Sequence, residues 1–247
     1  MERVRRLHSL LMICKIADLI TAIPEAGGLS SRCREYVYCT DQKPDVFIDP
    51  SKYRLHRYPQ GTPDSVIEYI ESGNLFNKEL INHNGLYLHS SAIEKDGRAY
   101  LFSGPSGVGK STHTRLWQQT FGEEVLVFND DKPALRFVDD CWYAYGTPWC
   151  GKDGINLNRK VPLAGICFLK QSDTNRIKRY NTTEALQNLL QQTIRLQLNE
   201  FQVGLLLSHL DSLLKKIPVY ELENKPETEA VRLSYETMRR GAEEAGL

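Results

Sequence analysis

The chain has 247 residues, and its 31 lysines and arginines balance its 31 aspartates and glutamates, so it carries no formal net charge. This balance argues against a basic nucleic-acid-binding protein and against a polybasic protein of the membrane surface, and we expect neither kind of partner. The six cysteines form no C-x-x-C pair. This pattern disfavours a zinc site and is typical of the reduced thiols of a cytoplasmic protein.

The first 78 residues predict a small α/β domain that precedes a larger domain over residues 79–247. Residues 7–23 are mostly apolar but are interrupted by Lys15 and Asp18, which favours an amphipathic helix over a signal peptide or a membrane span. Short strands are predicted at 36–39 and 46–48. A short helix is predicted from Asp64 to residue 70, ending at Gly73.

The larger domain predicts alternating strands and helices. Strands are predicted at 85–93 and 98–102, joined through the turn Asp96-Gly97, and a hairpin is predicted around Asp139-Asp140. The remaining strands are predicted at 125–128, 134–138, 142–145, 162–169 and 218–222. Helices are predicted at 112–119, from Thr182 or Thr183 to 198, at 201–214 and at 227–240. The pattern indicates a mixed α/β fold.

A glycine-rich loop between the predicted strand at 98–102 and the predicted helix at 112–119 matches the pattern G-x-x-x-x-G-K-[ST]. In such a loop, backbone N–H groups face phosphate oxygens, the lysine reaches the β- and γ-phosphates, and the hydroxyl of the last residue binds Mg²⁺. The sequence therefore predicts a site for ATP with Mg²⁺. We expect nucleotide contacts from Gly104, Ser106, Gly107, Val108, Gly109, Lys110, Ser111 and Thr112.

Two adjacent carboxylates, Asp130 and Asp131, end the apolar strand that follows this loop in the sequence. Ligands of α/β sheets bind at such strand ends, and Mg²⁺ takes carboxylate ligands in addition to phosphate oxygens. One aspartate could hold the metal while the other accepts a proton from an attacking hydroxyl. The residue pattern does not assign the two roles, and an ordinary Asn-Asp turn is the alternative.

Two further segments supply candidate residues. His89 lies on the strand before the loop strand, where a structural histidine is the alternative to a functional one. Residues 146–154 form an irregular stretch in which Lys152 could stabilise the charge of a transferred phosphate. Trp149, in the same stretch, is either a buried anchor or a surface on which a base or a substrate packs.

The residues Leu88-His89, the loop from Gly104 to Thr112 and the run 129–131 together resemble the HPr kinase/phosphorylase family. The resemblance covers residues 80–170 well and continues loosely to about 240. It implies an α/β domain of the P-loop type shared with ATP-dependent phosphoenolpyruvate carboxykinases, a mixed sheet flanked by helices, with the N-terminal α/β region as an appendage. A homo-oligomer is compatible with it, because related kinases form hexamers.

The resemblance also implies roles for single residues. Asp130 would be the base toward a serine hydroxyl, His89 would assist it, and Ser111 and Asp131 would bind the metal. The chain departs from the family at Thr112, where a glutamate is usual, and lacks the glycine-rich signature of the bifunctional enzymes. The resemblance therefore does not extend to phosphorylase activity or to a phosphocarrier substrate.

The sequence thus predicts an ATP-dependent kinase that transfers the γ-phosphoryl group to a serine-type hydroxyl of a peptide, a protein or a small molecule. One alternative is a carboxykinase-like phosphotransferase, in which Lys152 and Arg159 would hold a carboxylate substrate. Another is a nucleotide-binding regulator without catalysis.

Overall fold

The computed structural model describes residues 11–25, 27–151, 153–193 and 198–247 as a mixed α/β fold. The strands are β1 (Leu11–Ile16), β2 (Leu19–Pro24), β3 (Val46–Phe47), β4 (Gly85–Tyr87), β5 (Ser90–Lys95), β6 (Arg98–Ser103), β7 (Leu126–Asp131), β8 (Ala134–Val138), β9 (Cys141–Tyr145), β10 (Lys160–Gln171), β11 (Arg176–Arg179) and β12 (Val219–Asn224). The helices are α1 (Gly28–Arg32), α2 (Asp64–Asn82), α3 (Lys110–Phe121), α4 (Thr182–Gln192), α5 (Glu200–Lys216) and α6 (Thr228–Glu244).

A large mixed sheet organises the molecule, with neighbouring strands in the order β4-β8-β9-β10-β6-β5-β7. The long strand β10 runs parallel to β6 and to β12 and antiparallel to β9. Strand β5 pairs antiparallel with both β6 and β7. As a result, three strand ends lie side by side at one end of the sheet: the end of β6, the start of β5 and the end of β7. The glycine-rich loop and Asp130-Asp131 meet there.

The N-terminal apolar run forms a hairpin where residues 11–23 were expected to be helical, and residues 7–10 of that prediction lie outside the described residues. Ala17 and Asp18 have φ angles of 49° and 61°, which suit a two-residue turn between antiparallel strands. Lys15 and Asp18, which interrupt the apolar run, lie 3.5 Å apart as an ion pair beside this turn. Strand β2 is buried along its whole length, and this burial outweighs the helical pattern.

Helix α2 continues past Gly73, where the sequence predicts its end, and runs through the predicted domain boundary at 78/79. A Cβ atom at Gly73 would lie 3.0 Å from Cδ1 of the buried Trp149, so the glycine allows close packing inside the helix instead of ending it. Trp149 belongs to a core cluster that also contains Cys14 and Ile16 of β1 and Tyr87 of β4. The N-terminal strands therefore share a core with the large sheet.

Three other predicted elements differ in extent. Residues 36–39 form no strand: a 3₁₀ turn ends at Tyr36, and Val37 makes a single bridge to Cys14. The strand expected over 85–93 is interrupted between β4 and β5. The helix expected from Thr182 or Thr183 to 198 is observed as Thr182–Gln192, and Thr193 bridges to Leu88 at that interruption. Residues 194–197 of this prediction lie outside the described residues.

Other local predictions are confirmed. The hairpin between β8 and β9 turns at Asp139 and Asp140, whose φ angles of 48° and 63° suit a two-residue turn. Helix α4 begins at Thr182, one of the two predicted starts. Its cap is Asn181, whose side chain accepts a hydrogen bond from the Glu184 N–H while the Glu184 carboxylate accepts one from the Asn181 N–H.

Candidate functional site

The glycine-rich loop connects β6 directly to α3. Gly104, Gly107 and Gly109 have φ angles of 142°, 82° and 107°, a region that side chains rarely allow. Among the described residues, no atom would lie within 4 Å of a Cβ atom at Gly107 or Gly109. The backbone therefore needs glycine for its conformation, and the loop remains accessible to a ligand.

The loop forms one wall of a cavity of about 380 Å³, which we call the loop pocket. Most predicted site residues line it: His89, Ser106, Gly107, Gly109, Lys110, Ser111, Thr112, Asp130 and Asp131. Gly104 and Val108 do not. They shape the loop from behind, and Val108 packs against the core beneath α3 and β6. Lys152 lies outside the described residues.

Lys110 directs its ammonium group into its own loop. Nζ donates to the carbonyl of Gly104 at 3.0 Å and to that of Pro105 at 3.3 Å. Burial lowers the pKa of this ammonium, whereas the nearby carboxylates of Asp130 and Asp131 act in the opposite direction. A largely buried cation beside an open, glycine-lined loop suits an anionic ligand.

Asp130 lies at the floor of the loop pocket and is 8% exposed. Its Oδ2 accepts a hydrogen bond of 2.8 Å from the Ser111 hydroxyl, and its Oδ1 accepts one from the Ser91 hydroxyl. Ser91 is opposite Asp130 in the β5–β7 ladder, so the strand register positions this contact. The serine that ends the loop motif and the first aspartate after β7 therefore form one unit.

Asp131 has different partners from those of its neighbour. Its Oδ2 accepts a hydrogen bond of 2.7 Å from the Tyr69 hydroxyl and lies 2.9 Å from Nζ of Lys132. Its Oδ1 lies 3.6 Å from Nε2 of His89. Burial alone would raise the pKa of this carboxyl, but the Lys132 ammonium and the Tyr69 hydroxyl outweigh it and lower the pKa. Asp131 has a φ angle of 135°.

His89 lies at the interruption between β4 and β5, which positions its ring over the loop pocket. Its backbone N–H donates to the carbonyl of Gln192 at 2.9 Å, and its Nδ1 lies 3.0 Å from the Gln192 side-chain oxygen Oε1. In the neutral tautomer that carries its proton on Nδ1, the ring donates to the Gln192 oxygen and the Nε2 lone pair faces Asp131. Burial and the Lys110 ammonium lower the pKa of His89, which favours the neutral ring at pH 7.

Three lining residues were not identified from the sequence. Arg115 of α3 and Asp153 form an ion pair of 2.5 Å at the pocket rim, and Gly151 lines the wall beside them. Gly151 follows Cys150, which bridges to Asp131, so the irregular segment is held against the end of β7. Only the residue types of this segment indicated a role, because the segment has no helix or strand periodicity from which its position could be predicted.

Trp149 is a buried anchor and offers no surface to a substrate. Its indole is fully buried between Phe76 and Tyr87, with ring centroids at 4.9 and 5.9 Å, and its Nε1 donates to the Ser72 hydroxyl at 3.0 Å. It fixes the irregular segment to α2. Of the two alternatives for Trp149, the structure therefore supports the buried anchor.

A second cavity, of about 750 Å³, adjoins the first and is called here the α2 pocket. It is lined by residues of α1, α2 and the irregular segment, and it shares Ser106, Asp131 and Gly151 with the loop pocket. The Tyr69 hydroxyl at its wall donates to Asp131 and also lies 2.9 Å from the Cys150 carbonyl. Asp131 is thus accessible from both cavities.

The described residues contain no group of three or more His, Cys, Asp or Glu side chains that could hold a metal ion. A metal at this site would therefore need ligands from a bound molecule or from water in addition to the protein. In the same part of the chain, no helix is long and apolar enough to cross a membrane.

Comparison with known protein families identifies the family of this chain. Residues 65–225 match the ScmC family, described as SynChlorMet cassette protein ScmC, and this segment is more than half of the chain. The chain belongs to the ScmC family. The ScmC match begins in α2, includes the glycine-rich loop and both aspartates, and ends just after β12. Helix α1, which lines the α2 pocket, precedes the ScmC match.

Among solved structures, the chain is similar to the HPr(Ser) kinase/phosphatase from Coxiella burnetii. The sequence identity is 11%, the alignment covers 65% of this chain and 96% of that one, and the TM-score of 0.34 describes a loose superposition. No curated protein sequence matches this chain.

Proposed function

We propose that the protein is an ATP-dependent kinase that transfers the γ-phosphoryl group to an aliphatic hydroxyl, with Mg²⁺ as cofactor. The observation that supports the proposal is that two separate sets of side chains line the loop pocket. The Lys110 ammonium and the Ser111–Asp130 pair lie beside the glycine-rich loop, and a second carboxylate, Asp131, lies beside a histidine. Phosphoryl transfer needs these two sets of groups, one for the triphosphate and metal and one for the attacking oxygen.

The metal end of the site would be formed by Ser111 and Asp130. A hydroxyl and a carboxylate oxygen 2.8 Å apart are hard oxygen ligands that can bind the same Mg²⁺ ion. Mg²⁺ usually takes only one or two carboxylates and completes its shell with phosphate oxygens and water, which agrees with the small set of protein ligands here. Bound ATP with Mg²⁺ supplies the activated phosphoryl group and neutralises part of its charge.

The contacts favour the reverse of the roles that the resemblance implies for the two aspartates. Asp130 is occupied by Ser111 and Ser91, whereas Asp131 lies beside the neutral His89 and is accessible from both cavities. We assign the metal to Asp130 and the proton to Asp131 together with His89. The acceptor oxygen forms its bond to phosphorus as the bond to ADP breaks, and its proton passes to the Asp131–His89 pair.

The carboxykinase-like alternative receives less support. Arg159, one of the two cations considered for a carboxylate substrate, pairs with Glu94 at 2.6 Å and lines neither cavity. The described lining residues of the loop pocket include Lys110 and Arg115 as cations, and Lys110 belongs to the phosphate loop. With Arg159 paired elsewhere, a serine-type hydroxyl remains the acceptor that we propose.

The proposal is tested by incubating the purified protein with ATP, Mg²⁺ and either free serine, serine peptides or oxaloacetate, and measuring ADP and the phosphorylated product. We expect ADP formation that depends on a hydroxyl acceptor. Lys110→Ala should weaken ATP binding at least about tenfold, because it removes the charge that contacts the phosphates. Lys215→Ala is the matched control, since Lys215 is exposed on α5 and pairs with Asp211.

Three results would contradict the proposal. Unchanged ATP affinity in Lys110→Ala would mean that the loop is not the nucleotide site. Binding of ATP without turnover of any acceptor would indicate a nucleotide-binding regulator, and turnover with oxaloacetate alone would indicate a carboxykinase-like enzyme.

A further inference from the structure

The α2 pocket has no assigned ligand, although it is the larger of the two cavities around Asp131. Its volume of about 750 Å³ is in the range of roughly 300–1,000 Å³ that is typical of pockets for drug-sized ligands. Its rim includes Ser31 and Ser65, both exposed, so the cavity opens to solvent while its inner end reaches Asp131.

The wall of the α2 pocket is apolar where it follows the helices. Val66 and Ile70 are one turn apart on α2 and therefore share a face, and Leu29 of α1 contributes a third apolar side chain to the same cavity. Val66 is 43% exposed although it is aliphatic, so its surface is available to a ligand. These side chains can remove an apolar group of a ligand from water.

The polar groups of the α2 pocket lie where it meets the loop pocket. Tyr69 is on the same helix face as Val66, one turn further along, and its hydroxyl donates to Asp131. The Arg32 guanidinium lies 5.0 Å from the Tyr69 ring centroid and donates to the Cys150 carbonyl at 3.1 Å. These contacts fix the tyrosine and leave its hydroxyl on the carboxylate. The apolar surface at Val66 is thus about one helical turn, roughly 5 Å, from the Tyr69 end of the cavity.

We propose that the α2 pocket binds the phosphoryl acceptor as a peptide segment, in which a serine or threonine hydroxyl faces Asp131 and a neighbouring apolar side chain packs against Leu29, Val66 and Ile70. This inference rests on the proposed kinase function and names its acceptor class. The open rim lets the peptide chain continue into solvent on either side. Free serine has no group that could occupy the apolar wall.

The test uses fluorescently labelled peptides with a single serine, which is flanked by leucine in one peptide and by aspartate in a second. Binding is measured by fluorescence anisotropy with a non-hydrolysable ATP analogue and Mg²⁺. We expect the leucine peptide to bind at least about tenfold more tightly than the aspartate peptide, because only leucine gains from burial against the wall.

Val66→Asp should reduce the affinity for the leucine peptide at least about tenfold, because it introduces a carboxylate into the apolar wall. Val203→Asp is the matched control: Val203 is also a helical valine with 43% exposure, but it lies on α5 and lines neither cavity. Both variants should bind the ATP analogue as the unmodified protein does, which shows that the fold is intact.

Equal binding of the two peptides, no binding of either, or the same affinity loss in both variants would overturn the inference. These results differ from failure of the kinase function. If the leucine peptide binds in the expected way but receives no phosphate from ATP, the α2 pocket is a peptide site and the proposed kinase activity is wrong. If free serine is phosphorylated while neither peptide binds, the kinase function holds and the peptide inference is wrong.

Discussion

The hydroxyl of Ser111 lies 2.8 Å from the carboxylate of Asp130, across the gap between the start of α3 and the end of β7. This hydrogen bond joins two residues that are 19 positions apart in the sequence, and it holds together the two oxygens that we propose as Mg²⁺ ligands. Asp131, the next residue, instead contacts Tyr69 and lies beside His89. One peptide unit thus separates the carboxylate that we assign to the metal from the carboxylate that we assign to the acceptor.

Asp130→Asn and Asp131→Asn should have different kinetic effects. Asp130→Asn should raise the Mg²⁺ concentration for half-maximal activity at least about tenfold, because an amide is a weaker ligand than a carboxylate. Asp131→Asn should lower kcat by about 10²–10⁴ with little change in the Mg²⁺ requirement, because it removes the proton acceptor. Steady-state kinetics across a Mg²⁺ titration distinguish the two, and the reverse pattern would restore the assignment implied by the family resemblance.

The pH dependence of catalysis should depend on His89. Its pKa lies below the usual value of about 6.5, so the ring is neutral and able to accept a proton above that pH. The ratio kcat/KM should therefore be constant near pH 7–8 and should fall at lower pH as the Asp131–His89 pair becomes protonated, within about the range in which histidine titrates.

His89→Asn tests this interpretation of the pH profile. With the imidazole removed, only the Asp131 carboxylate takes up the proton, and its pKa is below the usual range. The acidic limb should shift to lower pH while kcat falls by about tenfold or more. An acidic limb that stays in place after the substitution would show that a different group titrates. Rates measured between about pH 5 and pH 8 cover the relevant range.

Stability at acidic pH should depend on a different histidine, His113 in α3. It is almost fully buried, and burial lowers its pKa to about 3. Its Nε2 accepts a hydrogen bond of 3.1 Å from Nε1 of Trp117. The unfolded chain binds a proton at His113 below about pH 6.5 whereas the folded chain does not, so stability falls as pH decreases from 6.5 toward 3.

From this one group, the free energy of unfolding should be about 2 kcal/mol lower at pH 5 than at pH 7.5. Urea denaturation at the two pH values measures the difference. His113→Asn should be less stable at both values but should lose this part of the pH dependence, so the slope with pH, rather than the absolute stability, is the readout. An unchanged slope in the variant would contradict the assignment.

Two helical glycines offer a matched test of packing. A Cβ atom at Gly204 of α5 would have no atom of the described residues within 4 Å, so Gly204→Ala should raise the free energy of unfolding by about 0.5–1 kcal/mol through helix propensity. Gly73→Ala introduces the same methyl group 3.0 Å from the fully buried Trp149 and should instead be destabilising, by about 1–3 kcal/mol. Thermal or urea unfolding of the two variants gives the comparison, and equal gains would show that Trp149 can move aside.

Local signals in the sequence were sufficient to predict the loop and its neighbours. The motif ending in Lys110-Ser111 specifies residue types at fixed spacing, and apolar runs bounded by turns located β6 and β7. The partners of Asp131 were not predictable in the same way. Tyr69, which donates to Asp131, comes from α2, 62 positions earlier in the chain. Arg32, which packs against the Tyr69 ring, comes from α1, 99 positions before Asp131, and no local pattern encodes such contacts.

The N-terminal hairpin shows why the remaining errors arose. The apolar content of residues 11–23 fits a helix or a pair of strands, and only the turn at Ala17-Asp18 and burial against the core decide between them. Gly73 was read as a helix end because a glycine signal in the sequence does not reveal that an indole 76 positions later packs against it.

The backbone of Asp131 carries a consequence for the evolution of this site. A φ angle of 135° is unfavourable for any residue with a side chain and typically costs about 1–3 kcal/mol. Glycine would adopt it more easily, yet a carboxylate is present there. If Asp131 is retained for its proposed chemistry, a relative without phosphoryl transfer would relieve this strain by replacing it with glycine. A glycine at this position in a relative would then indicate a protein that binds a nucleotide without transferring phosphate.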